Sequence, residues 1–504
     1  MHHKNIKYAV RKQLKTQFPN WKRLDRKTKR VLATQVLAEV VAGYDFNQPI
    51  TPLKEALLGI EEQASNKGIV SLQKMASFIE MFTSSQVVCL KDFRRSARFI
   101  KDNELRYVSD LIDDRIINRL LAYQGYSPAM RDFLPSTLLR AELLKAIRYP
   151  EISYRKFCNE EYFGLDRKQN RAFCGLPLNR NEMIDHTRLC QFRRSLTFAQ
   201  QVNLLVYMLY HFNKSGLLGE ASLHGVDSTE LATDCKHPLT TLKINGKKIR
   251  IYGDLDCDCG KRRNKRDKSS YVIGYRLHTL TAIDATTGHS FPLASLLAPA
   301  NHHDSHFLPF LVKLGQAMGI ELKLITADEV YHDKDDALFL ETGVRLVTPP
   351  SSKVRLPEHV DTRTGSIFCH GACVVPMRHM GVEDGCHEYK CDATTEECNY
   401  AGPCCKYRFI PLDSGWFQRV PGSAEHVLKA QELRKHCERP FNLLKHQTGM
   451  ERVRVRSQQA IMARCTISSL AVLLIKMAGV RRKNSAPNPR SKHCPGRRNK
   501  QLKR

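Results

Sequence analysis

The sequence predicts an α/β core, a mixed β-sheet flanked by helices, which follows an N-terminal helical region and is interrupted by a cysteine-rich β insertion. Two observations support this prediction. Short β-rich runs begin near residue 220 and alternate with helical patterns as far as residue 349. Residues 350–415 then break the alternation, and the core resumes at residue 416 with a helical pattern from about residue 424. Short apolar runs bounded by turn residues are typical of strands, whereas apolar residues three or four positions apart are typical of helices.

The chain begins with helical patterns. Residues 1–45 are basic and helix-prone, and Gly43 is a suitable end for a helix. A DNA-contacting helical module and a solvated face of an ordinary helical bundle both fit this segment. Residues 46–215 form a second predicted helical region, because apolar residues recur with helical spacing in LKEALLGIEEQA, LQKMASFIEMF and LLRAELLKAIRY.

The first part of the predicted core covers residues 216–349. The helical stretch HFLPFLVKLGQAMGI separates the third and fourth of its β-rich runs. The expected order is therefore three strands, a helix, a strand, a helix and a strand. The long loop from Asp234 to Ser270 contains the basic stretch GKRRNKRDKSS, which could contact DNA near the first strands. The five runs are SLHGVD, YVIGYRLHTLTAID, HSFPLASLLAP, LKLITAD and VRLVTP.

The insertion at residues 350–415 is rich in cysteine. Thiolates bind Zn²⁺, so a structural zinc site is one hypothesis for this segment. A small β insertion with incidental free thiols is the alternative, because spacings such as C-x3-C differ from the standard C-x2-C pair. The candidate zinc ligands are Cys369, Cys373, Cys386, Cys391, Cys398 and Cys404.

The last part of the core is predicted at residues 416–480, with a helix from about 424 to 447. The apolar run TISSLAVLLIKMAG lies near its end and is too short to cross a bilayer, which favours a buried helix. The tail at residues 481–504 contains ten Lys or Arg and no acid. Such a tail is predicted to be disordered and to adhere to DNA.

The net charge limits the classes of partner. Lys plus Arg number 80 against 51 Asp plus Glu, a formal net charge of +29. This excess suggests a polyanion, and DNA, RNA or an acidic membrane surface would fit. The N-terminal stretch MHHKNIKYAVRKQLK lacks the apolar segment of a signal peptide, so the 17 cysteines are predicted to be reduced rather than paired in disulfides.

Three acids indicate a chemical site. Glu438 lies four residues after Arg434 and seven before Lys445, so an α-helix would place all three on one face. Asp227 and Asp328 each end a short apolar run, in LHGVD and LKLITAD. Two strand-end carboxylates and one helical carboxylate suit a two-metal phosphoryl-transfer site, because Mg²⁺ prefers oxygen ligands. Three unrelated surface acids are the alternative, but a cluster without cations would be costly.

Further candidates surround this set. Asp284, Asp304 and Asp333 are alternative acids, and Asp304 is the preferred auxiliary residue among them. Alternating arginines in ERVRVR suggest a DNA track just beyond the predicted helix, and they are Arg452, Arg454 and Arg456.

The C-terminal motif resembles one found in insertion-sequence transposases that use a DDE catalytic triad. One branch of that family has Y-x2-R-x3-E-x6-K around its glutamate. Arg434, Glu438 and Lys445 fit this signature, and Gln431 stands at the tyrosine position. That departure puts the phosphate-orienting role of the tyrosine position in doubt.

The resemblance extends over about residues 170–470. Asp227 before Ser-Thr resembles the first acidic motif of the family, and Asp328 with Tyr331 resembles the second. The segment GYRLHTLTAIDATTGHSFPLASLLAPANHHDS resembles the family's second and third strands and its Asn-His-x-Asp turn. A segment preceding the core also resembles the family at Gly175, Leu176, Asp185, Leu189, Phe192 and Arg193.

The resemblance implies an RNase H-like core and a specific activity. Asp227, Asp328 and Glu438 would hold two Mg²⁺ ions, for which Mn²⁺ can substitute, and Arg434, Lys445 and Gln431 would contact DNA phosphates. The implied protein is the DNA transposase of a bacterial insertion sequence, which cleaves at the element ends and joins them to target DNA by in-line phosphoryl transfer.

The expected partners are the terminal inverted repeats and target DNA, bound by a homo-oligomer in the cytoplasm at the nucleoid. A metal-dependent DNA nuclease on the same fold is an alternative. A catalytically decayed DNA-binding protein is another.

Overall fold

The computed structural model describes most of the chain. The described residues are 2–45, 68–83, 96–126, 133–216, 222–261, 270–332, 334–349, 366–369, 375–394, 396–398, 406–411, 425–453 and 455–485.

Helices dominate the described residues before the sheet. Two of them, α1 and α2, come first and are joined by a short 3₁₀ turn at Trp21–Arg23. The helices are α1 His2–Gln17, α2 Arg26–Ala42, α3 Leu72–Thr83, α4 Asn103–Leu111, α5 Asp114–Tyr123, α6 Pro135–Arg148, α7 Tyr154–Phe157, α8 Glu160–Phe163, α9 Lys168–Cys174, α10 His186–Ser195 and α11 Phe198–Lys214.

The remaining described residues contain the strands and the C-terminal helices. The strands are β1 Ser222–Thr233, β2 Thr240–Ile244, β3 Lys247–Ile251, β4 Asp258–Lys261, β5 Tyr271–Asp284, β6 Ser290–Pro299, β7 Leu324–Thr326, β8 Arg345–Val347, β9 Arg378–Glu383, β10 Cys386–Lys390, β11 Tyr407–Pro411 and β12 Arg452–Val453. The helices are α12 Leu308–Ala317, α13 Asp335–Thr342, α14 Glu425–Leu433, α15 Arg439–Asn442 and α16 Gln458–Ser485.

The main sheet is mixed, and β1 lies at its centre. The order β4-β5-β1-β7-β8 gives the main path, β6 pairs with β5, and β12 pairs with β1. β5 is antiparallel to β1, β4 and β6, whereas β7 and β12 are parallel to β1 and β8 is parallel to β7. The predicted order of β1, β5, β6, α12, β7, α13 and β8 is confirmed. A mixed sheet with helices against it is consistent with an RNase H-like core.

The predicted loop from Asp234 to Ser270 is not a simple loop. It contains the β2–β3 hairpin and β4, and residues 262–269 lie outside the described part of the chain. Ile249 and Ile251 of β3 are buried in one hydrophobic cluster with α1 and α2. Charged residues lie beside these apolar positions, so this short strand was not recognised from the sequence.

Basic side chains on one face of α1 contact the acidic segment 256–258 of the same chain. Lys7 contacts Asp258 at 2.5 Å, and Arg11 Nη2 donates to the carbonyl oxygen of Cys257 at 2.6 Å. Lys15 forms an ion pair with Asp256. These basic side chains therefore neutralise protein carboxylates, which favours a structural role for this face of α1.

The long helix α16 lies in the core. It packs against α4, α6, α10, α11 and β6, and its apolar residues belong to the two largest clusters. The stretch Gln458–Gly479 is long and apolar enough to cross a membrane by length and composition, but 89% of its most apolar window is buried inside the protein. This packing is that of a core helix, as the sequence predicted, although the helix is longer than its apolar run suggested.

The insertion forms a separate small sheet in its described residues. β9, β10 and β11 are antiparallel in the order β11-β10-β9. The basic tail beyond residue 485 lies outside the described part of the chain.

Candidate functional site

Asp227 lies in the middle of β1. It pairs with Thr279 of β5, and its side chain accepts a hydrogen bond from the amide N–H of Ser228 at 2.7 Å. The prediction that Asp227 ends a strand was wrong, because β1 continues to Thr233, where β5 and β12 support its second half. The carboxylate is therefore held by the central strand and is partly buried.

Asp328 follows β7 after one residue, as a strand-end acid should. Its carboxylate accepts a hydrogen bond from the amide N–H of Glu329 at 2.8 Å and begins the 3₁₀ turn Glu329–Tyr331. Because β7 pairs in parallel with β1 at His224 and Gly225, Asp328 leaves the sheet beside Asp227.

Glu438 ends a tight turn instead of lying on a regular helix. The helical stretch consists of α14, a 3₁₀ turn at Arg434–Glu438, α15 and a wide π turn at Leu443–Gln447. Pro440 has no N–H to donate to the carbonyl of His436, and its ring crowds that carbonyl. The regular α-helix predicted from about 424 to 447 is therefore interrupted at Arg434–Glu438 and at Leu443–Gln447.

A glycine lets the glutamate segment lie directly on β1. A Cβ atom at Gly225 would lie 2.2 Å from Cys437 Sγ, so a larger residue has no room there. On the other side, Arg439 Nη1 donates to the carbonyl oxygen of Gly288 at 2.7 Å. These contacts hold Glu438 near the strand that carries Asp227.

The three carboxylates interact electrostatically. Burial is the main cause that raises the pKa of Asp227, to about 7, and the carboxylates of Asp328 and Glu438 raise it further. The guanidinium of Arg434 opposes this shift. These effects on the pKa of Asp227 indicate that Asp328 and Glu438 lie within electrostatic range of it.

Arg434 is the cation that contacts this acidic group. Its Nη1 lies 3.4 Å from Asp328 Oδ1, and both side chains are partly exposed. An exposed ion pair of this kind contributes little to stability, so Arg434 can exchange its partner for another anion at low cost. Gln431 lies in the last turn of α14 and Lys445 in the π turn, and both are partly buried.

The proposed arginine track is only partly described. Arg452 begins β12, whose pairing partner is the end of β1. The side chain of Arg452 and the whole of Arg454 lie outside the described residues. Their contact with DNA therefore stays a prediction.

Asp304 belongs to a polar network next to the three acids. Arg276 Nη1 donates to both oxygens of Asp304, at 2.9 and 3.0 Å, and its Nη2 donates to Glu230 at 3.2 Å. Burial raises the pKa of Tyr331, and the carboxylates of Asp304 and Asp227 raise it further, so Tyr331 lies between the two groups. Sequence reasoning singled out Asp304 but missed Arg276. No local sequence pattern indicates that a residue on β5 forms an ion pair with Asp304.

The other alternative acids have different positions. Asp284 ends β5, and its carboxylate accepts amide hydrogen bonds from Thr286 and Thr287 at 2.8 and 3.1 Å. It therefore stabilises the turn between β5 and β6. Asp333 lies outside the described residues.

The donor chemistry of the site suits a hard divalent cation, because carboxylate oxygens are its preferred ligands. In the arrangement described, Asp328 pairs with Arg434. Within the described ranges, no three His, Cys, Asp or Glu side chains are placed closely enough to form a metal cage.

The zinc hypothesis has no support in the described part of the insertion. Cys369 is buried, and Cys386, Cys391 and Cys398 are partly exposed free thiols. None of them belongs to a metal-holding group among the residues that the structure describes. The two other predicted ligands, Cys373 and Cys404, lie outside those residues.

Comparison with known proteins gives a family match for part of the chain. Residues 226–474 match the family model described as the transposase DDE domain. Among solved structures, the chain is similar to a piggyBac transposase in a synaptic complex with hairpin DNA, at 9% sequence identity and a TM-score of 0.31, covering 78% of this chain and 77% of that one. A TM-score this low does not establish a common overall fold. No curated protein sequence matches the chain significantly.

The contact between Gly225 and Cys437 predicts a specific coupling. Gly225→Ala should lower the free energy of unfolding by about 1–3 kcal/mol, because the new Cβ overlaps Cys437 Sγ. Cys437→Ala removes the overlapping atom, so the double variant should be more stable than the sum of the two single effects. Urea unfolding of the four proteins tests this, and simple additivity would contradict the contact.

The raised pKa of Asp227 predicts how its charge affects stability without metal. Between its ordinary value of 3.8 and about 7, the folded state holds a proton that the unfolded state has lost. Asp227 therefore makes the free energy of unfolding fall as pH rises through this window. Asp227→Asn should remove that decrease and be more stable than the native protein above pH 7, by roughly 2 kcal/mol.

Urea unfolding in EDTA across that pH range measures the difference. Asp284→Asn is the matched control, and its effect on the free energy of unfolding at high pH should have the opposite sign. Burial raises the pKa of Asp284, but amide hydrogen bonds from Thr287 and Thr286 outweigh it and lower the pKa overall. Its replacement should therefore cost stability above about pH 4. Equal pH profiles for the native and Asp227→Asn proteins would contradict the raised pKa of Asp227.

Proposed function

Because residues 226–474 of this chain belong to the transposase DDE domain family, we propose that the protein is the DNA transposase of a bacterial insertion sequence. It cleaves DNA at the ends of its element and joins the freed 3′-hydroxyl to target DNA by in-line phosphoryl transfer. The observation that supports this proposal is that the carboxylates of Asp328 and Glu438 lie within electrostatic range of the partly buried Asp227.

Asp227, Asp328 and Glu438 would hold the divalent ions that this chemistry uses. Mg²⁺ or Mn²⁺ bound there would lower the pKa of the attacking water or 3′-hydroxyl and stabilise the leaving oxygen. The protein's own contribution is positional. β1 fixes Asp227, the turn after β7 fixes Asp328, and the contact of Cys437 with Gly225 fixes the segment that carries Glu438.

Arg434 and Lys445 would bind the phosphates on either side of the cleaved bond. The guanidinium of Arg434 presents a planar pair of donors that matches phosphate oxygens, and the ammonium of Lys445 supplies a point charge. Arg434 would leave Asp328 for a phosphate when DNA enters, because their ion pair is partly exposed. Gln431 can donate a hydrogen bond to a phosphate in place of the family's tyrosine.

DNA is the proposed partner on grounds of charge as well as family. A net charge of +29 attracts the phosphate backbone without regard to sequence. The chain would bind the terminal inverted repeats of its element as a homo-oligomer, together with target DNA. Its place in the cell would be the cytoplasm, at the nucleoid.

The proposal predicts that Glu438→Gln, which replaces one carboxylate oxygen by an amide nitrogen, strongly reduces catalysis. DNA carrying the sequences that flank the coding region should be nicked at the element ends and joined to a second duplex in the presence of Mg²⁺. Glu438→Gln should lower both rates by at least about 10²-fold while leaving DNA binding intact, because it removes a metal-binding charge. Glu432→Gln is the matched control, since Glu432 is an exposed glutamate of the same helical stretch.

Each other outcome identifies an alternative. Cleavage without joining would identify a metal-dependent nuclease on the same fold. Binding without cleavage by the native protein would identify a catalytically decayed DNA-binding protein. Equal activity of the native protein and Glu438→Gln would show that Glu438 is not a metal ligand.

A further inference from the structure

A second charged site lies outside the three acids. A cavity of about 400 Å³ opens between the end of α6, the loop at residues 150–154 and the segment 449–455. Its lining includes Lys145 and Arg464, with exposed Glu151 and Glu451 among the outer residues. The cavity is large enough for a phosphate group with part of a nucleotide.

Arg464 presents an unused donor to this cavity. Its side chain is only 5% exposed, and its Nη2 donates to the carbonyl oxygen of Thr448 at 2.7 Å. Its Nη1 has no hydrogen-bond partner among the residues that the structure describes. A buried guanidinium N–H without a partner costs free energy, and an acceptor that enters the cavity would remove this cost.

The charges around Arg464 have an excess of cations. Arg193 is buried and forms an ion pair with Glu142, which is fully buried and also accepts a hydrogen bond from Tyr154 Oη at 2.8 Å. Lys145 is buried on the same helix as Glu142, and its Nζ donates to the carbonyl oxygens of Tyr149 and Pro150. The described residues thus place three buried cations around one buried carboxylate.

The cavity wall is built by close backbone contacts. Gly449 has a φ of +69°, and a Cβ atom there would lie 2.7 Å from the carbonyl oxygen of Pro150. Lys145 holds the same carbonyl from the other side at 3.0 Å. The loop and the segment after Lys445 are therefore locked together, which fixes the cavity in front of Arg464.

We infer that this cavity is a phosphate-binding site, with Arg464 as the main ligand and Lys145 as the second positive charge. An anion with several acceptor oxygens would satisfy Arg464 Nη1 and balance the excess of buried positive charge. The exposed Glu151 and Glu451 at the cavity opening would repel an extended anionic surface. A small anion that can reach Arg464 inside the cavity therefore fits best. The phosphate can come from the DNA backbone or from a free phosphate or nucleotide.

The test measures binding to the full chain without Mg²⁺ and does not require DNA cleavage. Its result therefore stands even if the proposed transposase activity is not found. Calorimetric titration with inorganic phosphate at constant ionic strength probes the free anion. Titration with a short DNA duplex at several salt concentrations probes the backbone phosphate. Two variants address the site differently: Arg464→Gln keeps an N–H donor for Thr448 but loses the charge, and Val455→Trp fills the cavity and leaves Arg464 in place.

Each variant has a matched control. Lys156→Gln removes one exposed cation that does not line the cavity, and Val31→Trp adds the same bulk at an exposed position of α2. If the ligand is free phosphate, both site variants should weaken phosphate binding by about 10- to 100-fold, and both controls should bind it normally.

If the ligand is a DNA phosphate, both site variants should reduce the slope of log K against log salt by about one, as expected for one lost phosphate contact. The inference is overturned if a folded Val455→Trp protein binds both inorganic phosphate and the DNA duplex as Val31→Trp does. The cavity would then contain water only.

Discussion

The contact between Gly225 and Cys437 is the constraint on which the site depends. Because Gly225 has no side chain, the segment that precedes Glu438 lies directly on the central strand, two residues from Asp227. β7 pairs with β1 at the same place, and this brings Asp328 to the same edge. Three carboxylates from distant parts of the sequence are therefore brought towards one edge of the sheet. Burial raises the pKa of Asp227, and the charges of Asp328 and Glu438 contribute to the shift.

Some charged side chains in the described interior are paired with a counter-charge, and others are not fully paired. Lys7 neutralises Asp258 at the contact between α1 and β4, and Arg276 neutralises Asp304. Among the contacts described, the partly exposed Arg434 is the counter-charge of the three acids, and Nη1 of Arg464 has no hydrogen-bond partner in its cavity. Unbalanced charge and unpaired donors in a folded protein are costly unless a ligand compensates them, so charged ligands are expected at both places.

The sequence predicted the parts of this arrangement that have local signals. The alternation of apolar runs indicated the order of β1, β5, β6, β7 and β8. The ends of those runs, the spacing around Glu438 and the family motifs singled out the three acids. Contacts between distant residues had no such signal. Nothing local indicates that Gly225 faces Cys437, or that β5 and β12 extend β1 beyond Asp227.

Other differences between sequence and structure have local causes. Pro440 lies inside the predicted helix, and it disrupts the turn before it. Arg193 lies in a polar stretch typical of a helix surface, yet it is buried, because Glu142 of α6 provides a counter-charge. The cysteine-rich composition suggested zinc, but composition does not determine whether thiols converge.

The central claim is that Asp227, Asp328 and Glu438 bind metal as one site, and metal-directed backbone cleavage tests it most directly. Fe²⁺ replaces Mg²⁺ in the full-length protein, and ascorbate with peroxide then generates hydroxyl radicals that cut the chain near the bound ion. The account predicts cuts near all three residues, suppressed together by excess Mg²⁺ and lost together in Asp227→Asn. Cuts confined to the cysteine-rich insertion, or to one of the three acids alone, would contradict it.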